Sequence, residues 1–227
     1  SYRLVGSEMC IRDRFMSVDL GGAVPTVCGP SGSTACLASA YAINVGSNMG
    51  TNGISVFPAP FGNYYKNAKH QFLYRASELQ AAGMFGGKIT EISWETTAQN
   101  TATNNFNSYQ IKMGCTSQSS LTTWQLGLNQ VFSPQNIVVN LGWNTLQFTT
   151  AYEWDGVSNL IVEICYDNRS TGFTRNWSTP YTITNYNSVI YYRHDSNPAC
   201  SLISTAINST KRPVTKFKIC PPIPDPA

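Results

Sequence analysis

Apolar residues in this chain recur at every second position, in short runs, and seldom at the three-to-four spacing of a helix face. Ile92 and Trp94 alternate with polar neighbours. So do Tyr109, Ile111 and Met113, then Ile137, Val139 and Leu141, then Leu146 and Phe148. Successive strand side chains point to opposite faces of a sheet, so each run predicts a strand with one buried and one wet face. Thr215, Phe217 and Ile219, interleaved with Lys216 and Lys218, predict a closing strand of the same kind. The run 160–166 (LIVEICY) is apolar on both faces apart from Glu163, which predicts a central strand, and 188–193 (SVIYYR) predicts another. Turn residues separate the runs at Gly142-Trp143-Asn144, Asp155-Gly156, 168–172 and Asn197-Pro198.

One helical signal stands out, at 76–83 (ASELQAAG), with Ser77 as the expected N-cap and Gly83 as the expected left-handed end. Two turns make a connector and not a layer. Many short strands without alternating helices predict an all-β fold: an antiparallel β-sandwich or jelly roll with one short helix and extended N- and C-terminal arms. The Gly/Ser/Pro-rich stretch 15–53 is expected to be an arm with at most a short strand near 40–45. The sandwich is expected over 54–219. Prolines at 221, 222, 224 and 226 mark 220–227 as an extended tail, because proline lacks a ladder donor.

The chain has 227 residues, enough to bury a core without help from a metal. Only 12% of them are charged, against about 25% in an ordinary soluble domain, so the polar surface must come from Ser, Thr and Asn. The net charge of +3 is spread out, with one cluster at Lys211, Arg212, Lys216 and Lys218 that reads as a solvated strand face. Without a long basic run, nucleic-acid binding by counterion release is not expected. No apolar run is long enough to span a bilayer, so membrane insertion is not expected either.

Residues 1–14 (SYRLVGSEMCIRDR) resemble the translated sequencing-adapter read-through that contaminates metagenomic gene predictions. Read so, they carry no biology, and Cys10 is the odd member of seven cysteines. The remaining six include no C-x-x-C, which excludes a zinc ribbon or thioredoxin motif and favours disulfides in an oxidising compartment. Cys165, at the end of a central strand, is expected to pair with Cys200 in the later loop. Cys28 with Cys36 would close a small loop in the arm, leaving Cys115 and Cys220.

Three stretches carry a family resemblance: 58–94 (PAPFGNYYKNAKHQFLYRASELQAAGMFGGKITEISW), 109–114 (YQIKMG) and 142–168 (GWNTLQFTTAYEWDGVSNLIVEICYDN). Together with Lys211-Arg212-Pro213 and Phe217 they resemble, in order, a module repeated in secreted and cell-surface proteins of Bacteroidetes. The resemblance spans 57–219. It implies a β-sandwich used for adhesion or surface architecture, in large proteins that often carry fibronectin-like or PKD-like domains and a type IX secretion sorting tail. It implies no catalytic residues.

The residues themselves point the same way. His70 and His194 lie in different motifs, and no G-x-S-x-G, H-E-x-x-H or Gly-rich phosphate loop occurs. A glycosidase needs two carboxylates facing across a cleft, and Glu153, Asp155, Glu163 and Asp167 read more simply as strand and turn residues. Catalysis is therefore not expected, and neither is a cofactor. Calcium is the one possible ion, with Asp155, Asp167 and Asn168 as oxygen donors. Tyr64, Tyr65, Trp177, Tyr191 and Tyr192 are candidate platforms for sugar rings or protein partners. The sequons at Asn168, Asn176 and Asn208 read as chance in an Asn/Thr-rich bacterial surface. The expected function is a structural or adhesive subunit, extracellular or at the cell surface, that associates with other copies of itself into fibres by exchanging extended arms. The alternative is a carbohydrate-binding module that attaches to surface glycans.

Overall fold

The computed structural model describes residues 27–170, 174–203 and 205–222. Thirteen strands and one helix follow in order: β1 (Gly29–Ser31), β2 (Tyr41–Val45), β3 (Asn67–Tyr74), α1 (Ala76–Ala81), β4 (Gly87–Thr96), β5 (Asn105–Thr116), β6 (Asn129–Val138), β7 (Gly142–Trp154), β8 (Asn159–Asp167), β9 (Tyr181–Ile183), β10 (Val189–His194), β11 (Ile207–Ser209), β12 (Lys211–Pro213) and β13 (Thr215–Cys220). Five strands form one sheet in the order β1-β7-β4-β13-β2. Six form the other, β11-β10-β3-β8-β5-β6, and β12 pairs with β9 as a small ribbon. Every pairing between these strands is antiparallel, so the expected all-β sandwich is what the chain folds into.

The core lies between the two sheets and takes most of the alternate residues that the pattern marked. Leu141 is the exception, 60% exposed, because β6 ends at Val138 and Leu141 sits in the turn before β7. Ile92, Trp94, Tyr109, Ile111, Met113, Phe217 and Ile219 are all fully buried. Aromatic rings fill much of the space. Phe106 meets Tyr166 edge-on at 5.1 Å, Phe61 stands edge-on to Trp94, and Tyr109 lies flat on Tyr166. β8 sits centrally between β3 and β5, as its two-sided apolar run predicted. Its outer face is roofed by loops, where Leu73, Leu121, Trp124, Ile161, Tyr186 and Ile190 form a second apolar cluster.

That roof explains β3, which the alternation did not reveal. All eight of its residues (NAKHQFLY) are buried, four of them polar or charged. Polar residues at buried sites break the two-residue pattern, and only their partners make the burial tolerable.

The N-terminal region differs from the expected arm. β1 and β2 are the two edge strands of the five-stranded sheet, so the sandwich takes in 29–45 and does not begin at 54. The disulfides explain why. Cys165 joins Cys200, as expected, but Cys28 joins Cys115 and Cys36 joins Cys220. Cys28 and Cys36 close no local loop, because they flank segments that run to opposite edges of one sheet. Residues 1–26 lie outside the described residues, and with them the adapter-like segment and Cys10. So does the tail beyond Pro222.

The helix starts one residue before its expected cap. Arg75 is the N-cap, Ser77 lies within the first turn, and the free amides find other acceptors. Arg75 N donates to Glu78 Oε2 at 2.9 Å and Ala76 N donates to Asn159 Oδ1 at 2.8 Å. Gly83 has φ +94°, the left-handed residue foreseen there.

Candidate functional site

The five aromatic candidates do not form one surface. Trp177 is buried and donates its indole N–H to Thr103 O at 3.0 Å, which makes it core. Tyr191 is buried on the inner face of β10, stacked on Phe57 and His70. Tyr64 and Tyr65 meet edge-on at 5.4 Å, and Tyr192 stacks on His194. Arg193 lies over Tyr65 at 4.6 Å and also faces Phe57 and Tyr191. Only Tyr64, Tyr65 and Tyr192 reach solvent, and the first two meet edge-on, so they do not form one flat platform for a sugar ring.

His70 points into this aromatic wall. Its Nε2 accepts the Ala59 N–H at 3.3 Å, while Nδ1 is buried without a hydrogen-bond partner. Burial, aided by the charge of Arg193, pushes its pKa down to about 3, so the ring is neutral at ordinary pH. A neutral, enclosed imidazole with no carboxylate beside it is a packing residue. His194 uses Nδ1 to accept the amides of Ser196 and Asn197 in a turn.

The carboxylates proposed for calcium are occupied. Asp155 closes the β7–β8 turn by accepting the amides of Val157 and Ser158 and the Ser158 hydroxyl. Burial pushes its carboxyl up, but these bonds outweigh it and hold the pKa below the ordinary value. Gly156 follows with φ +79°, where a Cβ would also press on Phe85 O. Asp167 is clamped by the Arg169 side chain, and Asn168 is buried, accepting Asn107 N and donating to Asn63 Oδ1. Asp155 does lie near the sulfurs of Cys28 and Cys115, but those sulfurs are bonded to each other and are not thiolate ligands.

Two buried charged clusters were not foreseen. On the outer face of the six-stranded sheet, Glu163 accepts Gln71 Nε2 at 2.7 Å and pairs with Lys69 at 3.3 Å. Lys69 donates to Leu202 O and lies over the Trp124 ring. Lys112 stands at 3.7 Å from the same carboxylate, at a pocket of about 190 Å³. These groups hold the loop roof onto the sheet.

The second cluster centres on Arg212, which had been read as part of a solvated basic face and is instead fully buried. Its Nη1 donates to Leu73 O at 2.6 Å, Glu78 Oε2 at 2.9 Å and Tyr186 Oη at 2.9 Å. Its Nη2 donates to Glu78 Oε1 at 3.1 Å. Tyr186 also donates to Glu78, and the guanidinium lies over the Tyr74 ring at 4.4 Å. Tyr74 Oη in turn meets Thr215 Oγ1, which accepts the Trp94 indole N–H. The network joins β3, α1, β4, β12 and β13. It floors an open groove of about 560 Å³, walled by Val45, Ala81, Ala82 and Ile183. A lone Arg between Lys and Pro carried no sequence signal for this role.

These features define a class: an all-β, antiparallel sandwich stapled by three disulfides, which suits an oxidising compartment. Among the described residues no helix is long and apolar enough to cross a membrane. Comparison with protein families, characterised proteins and solved structures returns no match.

Proposed function

We propose that this chain is a non-enzymatic structural or adhesive module of an extracellular or cell-surface bacterial assembly, and that it associates with other copies through extended arms. The observation that carries this reading is the Cys36–Cys220 bridge. It spans 184 residues and joins the segment before β2 to the last residue of β13. Tension applied at the chain's two ends passes through β1 to this covalent link and spares the other strands of both sheets. A subunit in a loaded fibre needs such a device.

The site chemistry supports the same reading. Both histidines, the Asp155 and Asp167 carboxylates and Glu163 are each committed to local hydrogen bonds or ion pairs. The glycan alternative draws less support, since Trp177 and Tyr191 belong to the core. Purified oxidised chain, imaged by negative-stain microscopy over a range of concentrations, tests the proposal. Filaments or regular oligomers are expected. Single particles that bind a glycan array would overturn it in favour of the carbohydrate module.

A further inference from the structure

An exposed strand edge is a template for pairing unless something blunts it. The two sheets have four edges, and three are blunted. β1 has three residues, one of them Pro30, and β11 also has three. β6 contains Pro134, pairs irregularly with β5, and is bonded across to the other sheet, with Thr149 Oγ1 donating to Val131 O. β2 differs. Its five residues (YAINV) include no proline and no charge, and its register on β13 is unbroken. Among the described residues, no backbone group of β2 bonds to anything beyond β13. The groove walled by Val45, Ala81, Ala82 and Ile183 opens beside this edge. Strand addition uses this pairing: free backbone groups supply affinity and a neighbouring pocket takes alternate side chains.

The topology also says where a donor would come from. β1 and β2 are opposite edges of one sheet, and the chain enters at β1, anchored there by Cys28–Cys115. The sequence before Val27 includes Met16-Ser17-Val18-Asp19-Leu20, with aliphatic residues at alternate positions and one acidic residue between. An acidic outer face suits the sheet next to β2, where β13 presents Lys216, while Lys218 is held by Glu91 at 2.7 Å. We propose that the β2 edge and its groove accept the 16–20 segment of a second copy as an added strand. A donor at one edge and an acceptor at the other make a heterologous, head-to-tail contact, which propagates instead of closing as a two-fold dimer. This inference rests on the self-association proposed above and identifies its joint.

The test uses the full chain with disulfides formed. Val18→Pro removes a donor amide from the segment, and Ala81→Trp fills the groove from an exposed helix position. Light scattering should show wild-type chains of many copies and each variant as a monomer. An equimolar mixture should give dimers of twice the monomer mass, because one functional donor and one functional acceptor remain. Ile183→Asp, on the facing wall of the groove, should reproduce Ala81→Trp and guards against a folding defect in either. If wild type assembles and the groove variants assemble equally well, the joint lies elsewhere while self-association stands. If wild type is monomeric at every concentration, self-association itself fails. A monomeric wild type whose melting temperature falls on Val18→Pro would mean the segment docks on its own chain, which also overturns the proposal.

Discussion

Replacing Glu78 with Gln tests whether the Arg212 network is a principal support of the fold. Arg212 is 1% exposed in its side chain and Glu78 is 29% exposed, so the two partners are unequal. Glu78→Gln keeps the shape but leaves a buried guanidinium without its counter-charge. Breaking a buried pair from one side costs about 3–5 kcal/mol. Leu73 O and Tyr186 Oη still accept from Arg212, which places the expected loss at the lower end, about 3 kcal/mol. For a chain of this size that lowers the melting temperature by roughly 6–12 °C. The effect should depend on pH. Burial pushes the Glu78 carboxyl up, but the hydrogen bonds and charge of Arg212 and the Tyr186 hydroxyl outweigh it and hold the pKa below 4.5. A depressed folded pKa means that the pair stabilises fully above the unfolded carboxylate value and ceases to do so as pH falls through the folded one. Urea unfolding of both proteins at pH 7 and at a strongly acid pH measures this directly. The gap between wild type and Glu78→Gln should be wide at neutral pH and shrink in acid. A gap below about 1 kcal/mol at pH 7, or one unchanged by acid, would refute the argument.

Other outcomes follow from the same physics. His70 takes up its proton only after unfolding between pH 6.5 and about 3, so its contribution to stability is complete above 6.5 and declines by about 1.4 kcal/mol per pH unit below it. His70→Phe should flatten that slope in a pH series of urea midpoints, and an unchanged slope would place the titration elsewhere. Held at its two ends in a force spectrometer, the oxidised chain should lengthen little. Reducing Cys36–Cys220, together with the other two bridges, should release roughly 60 nm of contour at about 3.4 Å per residue. Trp177→Ala should destabilise by about 3–5 kcal/mol as a core deletion, whereas Tyr64→Ala should leave the unfolding midpoint nearly unmoved. A stable Trp177→Ala variant that had merely lost glycan binding would restore the carbohydrate reading.

Much of the architecture was legible in the sequence because strand alternation is a local signal. Residues 109–113, 160–166 and 215–219 declared their faces through their own neighbours, and the Asp155-Gly156 turn and Gly83 declared theirs through backbone chemistry. The edge strands were harder. β2 was visible as a short run near 40–45, but nothing local said that it borders β13, a contact made across more than half the chain. β3 was hidden by Lys69, His70 and Gln71, polar residues whose burial becomes reasonable only when Glu163, Ala59 N and Gln125 are brought to meet them.

By itself, then, the order of residues determined the strand periodicity, the all-β class, the sparse surface charge and the even set of cysteines left once Cys10 is set aside. Only the tertiary structure decided which cysteines meet, which edge stays open, that Arg212 lies inside, and that Trp177 is core and not platform. Periodicity acts over a few residues, where backbone geometry dictates which side chains share a face. Disulfide partners, ion pairs and open edges depend on which distant segments become neighbours, and that is set by how the two sheets close on each other.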